Sequence, residues 1–488
     1  MPVTTNLTAT TIFKGDDSGA TRLYVTAHAT HAFSSPSLAE VIAYRRKNGL
    51  PVKADSKAMQ FILHNSLIPA PFTPYEDIFA LGMGDRLSFN NGQPAYTCEF
   101  PYYQNLSTGQ SVPSTAKLLE LLCQSVKAVA PSGGALMMSS GKDSVSLALA
   151  LAENGQAGST EAFTYTDPTQ PSDEASDAAV FAKKLGIRHN AISFPNDPAK
   201  VREALTHFFT HASHPSCDPT TIPYAVCLYH AGIRDTHIID GTRNDTYMGI
   251  VPSKSYRQLC KYYEYLGGGF SGFKSLRGLV PHYSKAVKFL STYPEVNLYK
   301  HGHFRQTETS RFFPVAINTE AFWRDLYQSH KHLDMVDMRT FIIGQYFDGC
   351  SVVLKGATVA ESLNSQSVLP WASQPLASYY FNLPEEVRYN RQTLSNKVLV
   401  RQMLAEKLDY DASAIGKRIF YFDMQRFVLD NSSFIRDEII NCTLWQSSIG
   451  AEVDKYLALT ARKARAAGSL IDLFMVSGWH NHSKHLRG

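Results

Sequence analysis

The residues with the most chemistry per unit length are Ser139-Ser140-Gly141-Lys142-Asp143-Ser144, set between the apolar run Gly134-Ala-Leu-Met-Met138 and the alanine-rich run 145–152. A strand, a turn of small residues and a helix make an anion cradle. The first N–H groups of a helix have no intrahelical partner, its dipole favours negative charge there, and Ser and Gly let a phosphate approach closely. Polyphosphate is the natural guest of such a cradle, which Ser139, Gly141, Lys142 and Ser144 help to form. The Walker A pattern would need Ser or Thr after the lysine, and Asp143 stands there instead. A carboxylate beside phosphate is repulsive unless a cation lies between them, so Asp143 reads as a ligand for Mg²⁺.

A second stretch delivers similar residue types. Thr236-His-Ile-Ile-Asp240 reads as a strand ending in Gly241-Thr-Arg-Asn-Asp245. If both strands lie in one sheet, Asp245 can face Asp143 across a shared Mg²⁺–pyrophosphate. The alternative is an Asn-Asp loop that satisfies its own turn hydrogen bonds. His211-Ala-Ser-His-Pro-Ser-Cys217-Asp218 holds N and S ligand types but lacks a distal pair, so a zinc site is not expected. His480, His482 and His485 read as a solvated basic end.

These side chains need a scaffold. Helical periodicity over 114–130, a strand over 161–166, a capped helix over 172–186 and a strand over 188–194 alternate, which predicts an α/β fold with a doubly wound parallel sheet. Ligands bind at the carboxyl ends of such strands, where both loops fall. Residues 1–113 read as a small β-rich domain, with strands at 21–26 and 85–89 and short helices at 36–44 and 56–64; residues 114–488 form the second domain. Within it, 252–312 is an insertion in which nine Lys and Arg, from Lys254 to Arg305, interleave with tyrosines against the acids Glu264 and Glu295. A solvated basic helical insertion is the plainer reading, and a peptide or nucleic-acid guest the alternative. From Asp337 the chain reads as helical, and 395–405 as an amphipathic helix capped by Ser395.

Composition narrows the classes. At 488 residues, 44% hydrophobic and net charge +4, the chain is globular in composition and not basic enough to imply nucleic acid. No run approaches the ~20 apolar residues of a membrane span. The opening residues Met1-Pro-Val-Thr-Thr-Asn-Leu7 lack a basic and then apolar leader, so a cytoplasmic protein is expected. Seven scattered cysteines without a CxxC pair predict reduced thiols.

Taken together these stretches resemble the synthetase half of asparagine synthetases, with relatives among β-lactam and lasso-peptide macrolactam synthetases. Ser139 to Ser144 resembles the family's Ser-Gly-Gly-x-Asp-Ser loop with Ser140 for the first Gly, and Gly241-Thr-Arg-Asn-Asp-Thr246 resembles its second acidic loop. Asp337-Met-Arg-Thr-Phe341, Thr358-Val-Ala-Glu-Ser-Leu-Asn-Ser-Gln-Ser367, Asn396-Lys-Val-Leu-Val-Arg401 and Ile415-Gly-Lys-Arg-Ile-Phe420 resemble later family elements in the same order, and 470–479 the terminal helix ending in Trp. The resemblance implies ATP and Mg²⁺, adenylation of a carboxylate and attack by an amine. It implies Asp143 and Asp245 as metal ligands, Ser139, Gly141 and Ser144, with Lys142, holding pyrophosphate, Phe163, Asp240 and Gly241 beside the nucleotide, and Lys417 stabilising charge on the phosphate and on the tetrahedral adduct.

The departures are informative. No Cys precedes Cys98, so the glutaminase is expected to be dead and residues 1–113 a shortened structural remnant of an Ntn glutaminase domain. Thr242 and Asn364 stand where relatives carry groups that position or deprotonate the nucleophile, and neither is a useful base at neutral pH. Glu361 or Tyr247 could take that proton, or the amine could arrive neutral. The expected function is an AMP-forming amide ligase whose amine its own chain does not generate. The alternatives are an intramolecular cyclase, an ammonia-using synthetase and, from another class, a non-catalytic nucleotide-binding scaffold. Partners are then a carboxylate and an amine, with a homodimer or another biosynthetic protein as the macromolecular candidates and no membrane or nucleic acid.

Overall fold

The computed structural model describes residues 2–8, 11–90, 93–99, 111–166, 174–254, 257–258, 261, 265, 302–309, 311–411, 415 and 422–483. In its N-terminal part, alternating side chains build two antiparallel sheets. One has the order β1-β4-β3-β5, made of Val3–Asn6 (β1), Leu23–His28 (β3), His31–Ser35 (β4) and Ile78–Leu81 (β5). The other has the order β2-β6-β7, made of Ile12–Lys14 (β2), Arg86–Asn90 (β6) and Gln93–Thr97 (β7). Phe13, Val25, Ala32, Leu81, Leu87 and Phe89 form the small core between them. Tyr24, next to Val25, points the other way and joins helices α1 (Leu38–Lys47) and α2 (Ser56–Asn65) in a far larger core with the terminal helix Ala464–His482.

That larger core crosses the expected boundary at 113. His64 on α2 bonds the hydroxyls of Thr309 (2.7 Å) and Thr319 (2.9 Å), and Gln60 bonds Val315 O and Ile317 N, each at 2.9 Å. The two parts are joined by packing and buried polar bonds rather than by a free linker.

Five parallel strands carry the second part: Gly134–Met137 (β8), Thr160–Thr166 (β9), Arg188–Ser193 (β10), His237–Ile239 (β11) and Gln366–Val368 (β12), in the order β10-β9-β8-β11-β12. Successive side chains alternate between two cores. Ala135, Phe163 and Ile238 face the one that contains α6 (Pro198–His211) and α7 (Thr221–His230). Leu136, Ala162 and Ile239 face the one that contains α3 (Thr115–Val129), α4 (Lys142–Glu153) and α5 (Glu174–Lys184). Both faces are covered, as a doubly wound parallel sheet requires. The chain runs outward from β8 through β9 to β10, then returns to β11 on the other side, so β8 and β11 flank the switch point where such folds open a crevice.

Downstream, helix Met335–Ile342 runs through a π-helical stretch, Ile343–Val352, into helix Val353–Ser362. The helix expected over 395–405 begins later, at Val398, and ends at Leu408; Ser395 pairs with Asn390 in a short antiparallel strand instead of capping it. Lys397 enters that helix in the left-handed conformation (φ +55°), which a non-glycine residue adopts only under local compulsion. Most of the basic insertion, 266–301, lies outside the described residues. No helix among the described residues is long and apolar enough to cross a membrane.

Candidate active site

The loop after β8 curls about two hydroxyls. Ser144 Oγ accepts the Ser139 N–H at 3.0 Å and lies 3.0 Å from Ser139 Oγ, which in turn accepts the Gly141 N–H at 3.0 Å. Gly141 is the N-cap of α4, and a Cβ there would meet Ser139 Oγ at 3.0 Å. From outside, Tyr410 Oη donates to Ser140 O (2.8 Å) and Trp371 Nε1 to Asp143 O (3.3 Å). The first turn of α4 thus presents its free N–H groups at the carboxyl end of the sheet, from a loop with little room to shift.

Asp143 on that turn meets the loop after β11. Its Oδ1 accepts from Asn244 Nδ2 (2.6 Å) and its Oδ2 from Lys397 Nζ (2.5 Å); the same ammonium lies 2.9 Å from Asp245 Oδ1. Asn396 Nδ2 adds a bond to Asp245 at 3.3 Å. The Lys397 side chain is only 4% exposed, against 30% for Asp143 and 46% for Asp245. Burial opposes its charge, but the Coulomb attraction of Asp143 and Asp245 wins and raises its pKa, so it stays an ammonium across neutral pH. Lys142 is shifted the other way, lowered by burial and then by the neighbouring charges of Arg401 and Lys397. Asp348, in the π-helical stretch, accepts from Thr246 Oγ1 at 3.4 Å; burial and then repulsion from Asp245 push its carboxyl up to about 7.

Gly241 shows how close the two loops run. A Cβ on it would meet Asp143 Cβ at 3.1 Å, Asp143 C at 3.3 Å and Ser144 N at 3.3 Å. Thr242 donates both its N–H (2.8 Å) and its hydroxyl to Asp240 Oδ1, which closes the turn. Arg243 (φ +84°) sends its buried guanidinium to Gly19 O (3.2 Å) and Gly344 O (2.8 Å), tying the acidic loop to the N-terminal part and to the π-helical stretch.

A cavity of about 460 Å³ opens beside the loop at the carboxyl ends of β8, β9 and β11. Ser139, Phe163 and Asp240 line it, and Phe163 is Met137's register partner across β8 and β9. Its far wall holds residues that sequence reasoning missed. Lys355 Nζ lies 3.3 Å from Asp218 Oδ2 and 2.8 Å from Thr220 Oγ1. Burial alone would raise the Asp218 pKa, but Lys355 and Thr220 overcome it and the carboxyl is held below its usual range. The Tyr224 hydroxyl is buried there without a partner, and burial followed by the nearby Asp240 charge raises its pKa.

Asp143, Asp245, Ser139, Ser144, Gly141, Gly241 and Asp240 are thus brought together, with Lys142 on the same turn. Asn364 is not. It precedes β12, at φ +51°, and bonds Asp235 at the amino end of β11, whereas the loops above lie at the carboxyl ends. Three residues of parallel strand, roughly 10 Å, intervene. Glu361 accepts from Ser213 through Oε2 on the far side of its helix, and the Tyr247 hydroxyl donates to Ser18 O. Lys417 lies outside the described residues. In the cluster 211–218, His214 bonds Pro215 O and is driven down to about 3 by burial, the Cys217 thiol donates to Asp472 O, and Asp218 belongs to Lys355. His480 is buried and bonds Thr443, which corrects the reading of the tail as solvated at that position; His482 bonds Glu438, and His485 lies outside the described residues.

Lys397 was legible only as part of a helix. The available signal was charge: Lys397 and Arg401 put two cations at the start of a helix, where the dipole disfavours them unless an anion compensates.

The donor set suits Mg²⁺. Among the described residues no cluster of three or more His, Cys, Asp or Glu could hold a metal, so the protein offers two carboxylates, and Mg²⁺ characteristically takes one or two with phosphate and water oxygens completing its shell. Those two carboxylates already share one cation, the Lys397 ammonium.

A parallel sheet whose central strand opens on a serine–glycine loop and a helix N-terminus, faced by an acidic loop across the switch point, is the α/β arrangement in which an anion can be held at the carboxyl ends of the strands. Residues 117–259 match the asparagine synthase family, so this segment is similar to a family of ATP-dependent ligases and amidotransferases. The match includes Ser139 to Ser144 and Asp245 and ends before Lys397. No curated protein matches the chain.

Proposed function

We propose that this chain is an AMP-forming, ATP-dependent ligase that adenylates a carboxylate, releases pyrophosphate and passes the acyl group to an amine. One observation carries the reading: Lys142, Lys397 and Arg401 lie within electrostatic reach of one another around Asp143 and Asp245, at a helix N-terminus beside a cavity of nucleoside size. Three cations, helix N–H groups and two metal-type carboxylates are more than one phosphate needs, and suit a polyphosphate with its divalent ion.

In this proposal the cavity lined by Phe163 and Asp240 takes the nucleoside, and Ser139, Gly141, Lys142 and Ser144 take the departing pyrophosphate. Asp143 and Asp245 would hold Mg²⁺, which supplies charge neutralisation on the phosphate oxygens. Gly241 leaves the acidic loop close enough for its Asp245 to share that ion with Asp143. Lys417 takes the part the family likeness implies, on the phosphate and the tetrahedral adduct. Thr242 is occupied with Asp240 and positions the turn rather than accepting a proton. The amine is not generated by residues 1–113, which hold no cysteine before Cys98 and which we read as a remnant of a glutaminase.

The test is pyrophosphate release on incubation with ATP, Mg²⁺ and a panel of carboxylic acids. Asp143→Ala should remain folded and lose that release by at least a hundredfold. Release that survives the substitution, or a panel in which no acid elicits release from protein that binds ATP, defeats the proposal.

A further inference from the structure

A second, larger cavity, of about 980 Å³, lies outside the site just described. Helix Val353–Ser362 separates the two: Lys355 faces the nucleotide cavity, whereas Leu354, Ala357 and Glu361 line the second. The latter runs between that helix and the N-terminal sheets and reaches Asn364 at the amino ends of the parallel strands.

Two charged groups on its wall have unused bonding capacity. Among the described residues Arg22 forms no ion pair; its side-chain hydrogen-bond partner there is the Cys350 thiol, 3.4 Å from Nη2, and its buried Nε has none. A guanidinium carries five donors and stays charged, so one left this poorly matched in a cavity wall is a ready anion receptor. Glu361 accepts through Oε2 from Ser213, at 3.0 Å from N and 2.8 Å from Oγ, and Oε1 has no hydrogen-bond partner among the described residues. Both groups act electrostatically on Tyr24, which also lines the cavity, so they stand around one side chain. Ser37, the N-cap of α1, opens on the same space.

We propose that this cavity is a second small-molecule site, for a compact aminocarboxylate: an anionic oxygen pair on Arg22 and an ammonium on Glu361, with the Leu354 and Ala357 side carrying the apolar remainder. Opposed charges on one cavity wall recognise a zwitterion and reject molecules with only one of its two groups, because the unmatched side-chain charge stays desolvated. The site is independent of the ligase reading and would stand if that reading fell.

Calorimetry on the full chain tests it, with L-alanine, L-glutamate, L-lysine and L-phenylalanine as probes and propionate and ethylamine as single-charge controls. At least one amino acid should bind at one per chain and both controls at least roughly tenfold more weakly, as expected for loss of one charge-assisted bond. Arg22→Met and Glu361→Gln should each weaken binding by a similar factor. Ala357→Trp, at an exposed position on the cavity side, should block binding without disturbing the fold. ATP binding should be unchanged in all three. No binding by any amino acid, equal binding by propionate, or unchanged binding in Arg22→Met and Ala357→Trp would each overturn the proposal.

Discussion

Lys397→Met removes the cation that, among the described residues, Asp143 and Asp245 share, and keeps the length of the side chain. In the wild-type chain its nitrogen is 2.5 Å from one carboxylate and 2.9 Å from the other. Removing one partner from a wholly buried pair costs about 3–5 kcal/mol. Here the lysine is 4% exposed but the carboxylates are 30% and 46% exposed, so water recovers part of the loss and about 1–3 kcal/mol is expected. The two carboxylates then repel each other, which is the arrangement a divalent ion relieves. Added Mg²⁺ should therefore stabilise Lys397→Met more than it stabilises the wild type, where metal must first displace an ammonium. With free Mg²⁺ at ten times its dissociation constant the gain for the variant should be about 1.4 kcal/mol. Thermal melts of both proteins over a Mg²⁺ titration, with Ca²⁺ and high NaCl as controls, measure this. Equal Mg²⁺ shifts in the two proteins, or no loss of stability on removing Lys397, would refute the reasoning.

Gly241→Ala should weaken ATP binding by several-fold with little loss of stability, because its Cβ would press on Asp143 and Ser144 at 3.1–3.3 Å and push the two loops apart; nucleotide titration reads it directly. Asn364→Ala should change pyrophosphate release by less than about twofold, since the residue sits at the amino end of the sheet, and a large loss would return it to the site. Asp85 is buried and its carboxyl is pushed up to about 6, above the 3.8 of an open chain, by burial. The folded state then holds the proton more tightly, so this group's contribution to stability is greatest below about pH 4, falls as pH rises to about 6 and is level above, by about 3 kcal/mol in all. Asp85→Asn should remove that slope and raise the melting temperature near pH 7 relative to wild type. Gln345 can turn its amide so that its unpartnered Oε1 meets the new donor, at the cost of its 3.2 Å bond to Met83 O.

The sequence by itself determined whatever is local. Small residues between a buried strand and an alanine-rich helix form a tight turn with Gly141 as the helix N-cap, and Asp143 after Lys142 sets a carboxylate on the first turn, where a Walker loop would have a hydroxyl. Strand and helix alternation over 114–240 determined the parallel sheet, and with it the end at which Asp245 would meet Asp143. Tertiary structure decided what depends on contacts between distant segments. Lys397 reaches the two aspartates only because it, a left-handed residue, caps the helix two positions later than Ser395 would. Asn364 is shifted to the opposite end of the sheet by where β12 begins, a matter of register that flanking similarity does not specify. Arg22 and Glu361 share a wall only because the N-terminal sheets pack across Val353–Ser362. A loop's curvature is written in the residues that form it, whereas a charge's partners are chosen by the packing of elements hundreds of residues apart.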